Sequence, residues 1–154
     1  MTSDAFHLSA PSPQEEGLAL PNPQFRTLVV DGNFFFTGFL EKFLESEGHS
    51  ILTAATIKDA LAKTRQFQPD LILLDSELDG ATGLSLLSEL LMEQSSASVI
   101  MLARQPSIAE AVEAIKLGAT DYFERPLDPQ RLRHAIESQK TLFKAQRALE
   151  TRAI

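Results

Sequence analysis

Five short strand-like runs, the first, third and fourth of them mostly apolar, each leading into a segment with helical spacing, constrain this chain more than any other feature. They are Thr27–Asp31 ("TLVVD"), Ser50–Ala54 ("SILTA"), Asp70–Asp75 ("DLILLD"), Ser98–Ala103 ("SVIMLA") and Thr120–Phe123 ("TDYF"). Runs of four to six residues that are apolar at nearly every position, rather than at every second one, mark strands covered on both faces. The segments between them repeat their apolar residues every three or four positions, as helices do.

The helix boundaries carry their own chemistry. Phe36, Phe39, Leu40, Phe43 and Leu44 recur at helical spacing and stop at Gly48, a natural residue just past a helix end. Thr56-Ile-Lys-Asp59 and Ser107-Ile-Ala-Glu110 have the form of capping boxes. A helix is expected over Gly83–Met92, and the one after Ser107 ends at Leu117-Gly118. Asp128-Pro129 supplies a cap and a first-turn proline for a long last helix. Five strand–helix pairs imply an α/β fold, a doubly wound (βα)5 three-layer sandwich with a parallel five-stranded sheet of the flavodoxin-like kind. In such sheets ligands bind at the carboxyl ends of the strands, near the point where strand order reverses. Asp31 and Asp75 stand at two such ends.

Composition removes several alternatives. The net charge of −7 argues against a domain built to neutralise a phosphate backbone, so no direct nucleic-acid binding is expected within these residues. The absence of cysteine excludes disulfides, thiolate metal sites and a cysteine nucleophile. His7, His49 and His134 lack ligand-like spacing. No apolar run approaches the roughly 20 residues that span a bilayer, and there is no secretory signal, so the expected location is cytoplasmic with no membrane partner. Neither a dinucleotide-binding nor a nucleoside-triphosphate-binding glycine motif occurs, and no serine has a histidine base to serve it, so the chain is not expected to be an enzyme.

Residues 1–25 carry four of the eight prolines and no hydrophobic period, and read as a flexible leader. Residues 26–137 form the domain. Residues 138–154 continue the last helix beyond the length needed to cover one sheet, as a linker or a dimerisation helix. From Asp128 to Ile154 there are six basic and three acidic residues, against the acidic balance of the rest.

Carboxylates at adjacent strand ends suit a hard cation such as Mg²⁺, and also phosphoryl transfer in which one carboxylate is the nucleophile. Isolated, such acids commonly cap helices or face water. The words around them change the odds. "LVVDGN", "PDLILLDSELDGATGLSLL" and "VIMLARQPSIAEAVEAIKLGATDYFERPLD" run in order over nearly all of residues 26–137. In these stretches the sequence resembles the receiver domains of bacterial two-component response regulators.

The resemblance implies a phosphorelay signalling module. Asp75 falls where receivers accept a phosphoryl group from a histidine kinase. Asp31 matches the first of two acids that hold Mg²⁺, and Glu77 falls where a backbone carbonyl helps hold it. Tyr122 matches the family's switching aromatic. Three positions depart from the pattern. Gly32 replaces the second acid, Ala103 replaces a hydroxyl residue that contacts the phosphoryl oxygens, and Arg125 replaces a lysine whose compact ammonium a guanidinium does not reproduce.

The leading expectation is therefore a pseudo-receiver, with an incomplete phosphorylation site and weak or absent Mg²⁺. It would act through protein–protein contacts on the face formed by the fourth helix, fifth strand and last helix. In this reading Arg125 either offsets negative charge or bridges to Asp75 or Glu77. The alternative is a working receiver phosphorylated on Asp75, with Asp31, Glu77 and Arg125 in place of the usual set. An aspartate-dependent phosphatase-like enzyme is a remote third reading, disfavoured because Asn33 stands where such enzymes want a second aspartate. A homodimer through the last helix is also expected.

Overall fold

The structure is a computed structural model that describes residues 25–153. The strands are β1 (Arg26–Val30), β2 (Ser50–Ala54), β3 (Leu71–Asp75), β4 (Ser98–Ala103) and β5 (Asp121–Glu124). The helices are α1 (Phe34–Ser46), α2 (Ile57–Phe67), α3 (Gly83–Glu93), α4 (Ile108–Lys116) and α5 (Pro129–Ala153). All ladders of the main sheet are parallel, in the order β2-β1-β3-β4-β5, so the order reverses beside β1 and β3. The doubly wound parallel sheet expected from the alternation is the one observed.

Successive side chains of a strand point to opposite faces, and the core divides accordingly. Leu28, Val30, Ile72, Leu74, Val99 and Met101 face one layer, where they meet Ala60 of α2, Leu86, Leu87 and Leu90 of α3, and Ala114 of α4. Val29, Leu71, Leu73, Ile100 and Leu102 face the other, against Leu40 and Leu44 of α1 and Leu132 and Ile136 of α5. Every residue of β3 is buried, which is why its sequence is an unbroken apolar run.

The caps read from sequence are present. The Thr56 hydroxyl accepts the Asp59 N–H and the Ser107 hydroxyl accepts the Glu110 N–H, closing α2 and α4 at their starts. A small antiparallel ribbon, Glu77–Leu78 against Ala81–Thr82, lies between β3 and α3 and was not foreseen. Its turn is Asp79-Gly80, both with positive φ, the dipeptide that suits such a hairpin.

Two expectations need adjusting. The apolar stripe of α1 is wider than the face the sheet covers: Phe39 is half exposed and stacks on Phe43, and Phe34 and Phe35 are 88% and 91% exposed. Phe25, assigned to the leader, is buried between His49 and Phe143, while the rest of that leader lies outside the described residues. The last helix, α5, runs unbroken through residue 138. It continues along the amino-terminal edge of the sheet, where Gln139 accepts the Ser98 hydroxyl at 2.6 Å and Phe143 meets Phe25 edge-on.

Candidate functional site: two buried aspartates bracketed by two arginines

The parallel register pairs Val30 with Leu74, so the next residue of each strand end, Asp31 and Asp75, falls side by side. Both are buried, with 1% and 0% exposure. The Asp31 N–H donates to the Ala54 carbonyl at 3.0 Å, and Asp31 Oδ1 accepts the Asn33 N–H at 2.8 Å. Asn33 then caps α1 by accepting the Phe36 N–H. Asp75 Oδ1 accepts the Glu77 N–H at 3.2 Å. Two carboxylates in so dry a place require compensating charge.

That charge comes from Arg104 and Arg125, the residues that follow directly after β4 and β5. The Arg104 N–H donates to Ser76 Oγ at 3.1 Å, fixing the start of its loop. Its guanidinium straddles Asp75, with Nε at 3.1 and 3.0 Å from the two oxygens and Nη2 at 2.6 Å from Oδ2. Arg104 Nη2 is also 3.7 Å from Asp31 Oδ1. Arg125, whose N–H donates to the Ala103 carbonyl, bonds Asp31 Oδ2 through Nη2 and reaches within 3.7 Å of Asp75 Oδ1. Its guanidinium lies 4.2 Å over the Phe36 ring, and its Nε is buried without a partner.

Anions and cations thus alternate across the site. The hydrogen bond to Asp75 raises the Arg104 pKa above the ordinary arginine value, against the opposing effect of burial. Arg104 remains charged at any working pH. Sequence reasoning missed Arg104. The signal available was a cation at the carboxyl end of a fully apolar strand, one position after the Ala103 already singled out.

The other positions fall as follows. Ala103 is buried and brings no hydroxyl into the site. Gly32 lies on the surface, and a Cβ there would meet only the Ala55 carbonyl at 3.7 Å and Leu78 Cδ1 at 4.0 Å, so a side chain fits. The Glu77 side chain is exposed, and Arg125 bonds Asp31 rather than Glu77. Ser76 and Gly83 were not foreseen. A Cβ on Gly83 would stand 2.6 Å from the Asp75 carbonyl oxygen, so only glycine lets α3 begin this close to the acidic strand end. Tyr122 lies away from the acids, donating to Glu110 Oε1 at 2.5 Å and accepting the Ser107 N–H at 3.2 Å.

Mg²⁺ needs a near-octahedral set of oxygen ligands at about 2.0–2.1 Å. Among the described residues no three His, Cys, Asp or Glu side chains converge as a metal-binding group. The two carboxylates that do meet already accept guanidinium hydrogen bonds. As arranged, this donor set does not fit the ion. A cleft of about 400 Å³ beside it is lined by Gly32, Asn33, Ala55, Glu77, Asp79 and Arg104.

Residues 27–137 match the family model of the response regulator receiver domain. The chain belongs to that family. Among relatives, this receiver is 38% identical over 107 residues to the nitrogen assimilation regulatory protein NtrX of Azorhizobium caulinodans, a match covering 68% of the chain and 24% of NtrX. The chain therefore spans about a quarter of that relative's length. It is 27% identical over 112 residues to the chemotaxis protein CheY of Thermotoga maritima, covering 72% of the chain and 93% of CheY. In solved structures it resembles the receiver domain of NtrX from Brucella abortus, at a TM-score of 0.68 and 34% identity, over 73% of this chain and 96% of that one. No described helix of the receiver is long and apolar enough to cross a membrane.

Proposed function

We propose that this receiver is a signalling module whose acidic site is held by Arg104 and Arg125 in place of a divalent cation, and that it works through protein contacts rather than as a catalyst. The observation that carries this reading is the closure of Arg104 on Asp75. A guanidinium with three hydrogen bonds to the acceptor carboxylate competes with metal and with an incoming phosphoryl group for the same oxygens. Gly32 and Ala103 add to it, since one supplies no second carboxylate and the other no hydroxyl. The partners are a histidine kinase or other signalling protein, met through the face of α4, β5 and α5. Leu142 and Leu149, exposed on α5, support self-association through that helix.

The test is incubation with Mg²⁺ and acetyl phosphate or beryllofluoride, followed by intact-mass measurement and NMR shifts around Asp75. The expected result is no saturable change. A saturable mass gain that Asp75→Asn abolishes would overturn the reading.

One observation favours the second reading, a receiver phosphorylated on Asp75 with Mg²⁺. The Arg104 side chain is 42% exposed and borders an open cleft into which it can swing, uncovering Asp75.

A further inference from the structure

Arg104 and Tyr122 hold the two ends of one short loop. At one end, the Arg104 guanidinium grips Asp75 and its N–H bonds Ser76. Gln105 and Pro106 follow, and proline restricts its own φ and the conformation of the residue before it. At the other end, Ser107 caps α4, and its backbone N–H donates to the Tyr122 hydroxyl.

The capping there is unusual in one respect. In a capping box the acid three residues after the cap turns back to the cap's own N–H. Between Ser107 and Glu110 the Tyr122 hydroxyl stands in that path. It accepts the Ser107 N–H and donates to the Glu110 carboxylate at 2.5 Å. The start of α4 is thereby tied to β5 through the phenol, and to the acidic strand end through Arg104. No hydroxyl at position 103 is involved, and every tie is present with Asp75 unmodified.

We infer that Arg104 is a positioning residue that latches the loop between β4 and α4 to the Asp75 carboxylate, so that loss of the negative charge on Asp75, rather than capture of a phosphoryl group by a hydroxyl, releases Tyr122 and the start of α4. The inference rests on the arginine-held site proposed above. Four linked observations carry it. The anchor is a fully buried carboxylate, the grip has three hydrogen bonds, the loop is four residues long, and its far end is fixed by hydrogen bonds through the Tyr122 hydroxyl. A neutral group at 75 weakens the hold on the guanidinium, since the ion pair is lost and only the donor side of each hydrogen bond remains charged.

Tyr122 is the chain's one tyrosine and there is no tryptophan, so its emission reports this position alone. A phenol that donates to a carboxylate emits weakly, because the excited state passes its proton to the acceptor. The experiment uses the full chain in buffer without metal or phosphodonor, and compares wild type, Arg104→Ala, Asp75→Asn and the double variant. Emission is expected to rise in both single variants, with exchange protection of the Ser107 amide falling about tenfold. The double variant should match the singles, because both changes break one link. Arg104→Gln carries the same expectation where Arg104→Ala does not fold. Unchanged emission and protection in a variant with wild-type circular dichroism would overturn the latch, as would full additivity in the double variant. Phosphorylation of Asp75 in the earlier test would overturn only the reading of the site, because the latch is measured without donor or metal.

Discussion

Arg104 approaches Asp75 from the end of the neighbouring strand and donates from Nε to both oxygens, and from Nη2 to Oδ2, of a carboxylate with no exposure to solvent. The geometry is that of a planar fork on a planar acid, which a lysine would not reproduce. Several consequences are measurable.

Restoring the receiver pattern at Gly32, Ala103 and Arg125 should be insufficient for metal binding while Arg104 remains. Gly32→Asp fits sterically, since only ordinary contacts await its Cβ. The triple variant Gly32→Asp, Ala103→Thr, Arg125→Lys is expected to gain little Mg²⁺ affinity by calorimetry. Adding Arg104→Ala should raise that affinity at least about tenfold, by freeing Asp75 and removing a competing cation.

The two kinds of ion pair in this domain should differ sharply in worth. Arg125→Ala leaves Asp31 buried beside an empty place and is expected to cost about 3 kcal/mol in a urea titration. Arg65→Ala breaks a surface pair with Glu93, at 2.8 Å, and should cost less than about 1 kcal/mol.

Gly83→Ala should destabilise by about 1–3 kcal/mol. Its methyl would fall 2.6 Å from the Asp75 carbonyl and 2.9 Å from Met101 Cε, and the first contact is with backbone that cannot step aside. A thermal melt of the variant beside wild type checks this.

His49 gives the fold an acid-sensitive element. Burial against Phe25 lowers its pKa below the ordinary histidine value, with Lys140 acting in the same direction. The folded state therefore disfavours the protonated ring more than the unfolded chain does. The resulting stability is complete above the unfolded pKa of about 6.5 and declines as pH falls through that value towards the folded one. Urea midpoints at pH 7.5 and 5.5 should show a loss that His49→Phe reduces.

Much of the fold was legible because its signals are local. Runs such as Leu71–Leu74, apolar at consecutive positions and short, suit a strand covered on both sides, and Thr56 and Ser107 announce helices by chemistry confined to four residues. Asp31 and Asp75 could be paired in advance because each ends such a run. Arg104 was not legible, since its importance lies in where its side chain goes, across 29 residues of sequence to Asp75. Spacing carries no information about that reach. The exposure of Phe34 and Phe35 was hidden for a related reason: periodicity shows which residues share a face, but not how far the sheet extends beneath it. The tie of Phe143 to Phe25 likewise depends on a helix passing the strand bottoms, which only the packed sheet defines.

That tie changes how α5 behaves as a mechanical part. Leu132 and Ile136 hold it near its start, and Phe143 holds it again against Phe25, about 10 Å beyond Ile136. A rod seated at two points cannot pivot about either. Tilting it requires both seats to give way together, so the orientation of its last turns follows the sheet as a whole. Phe25 is thus a fulcrum stop for the turns of α5 that lie beyond Gln139.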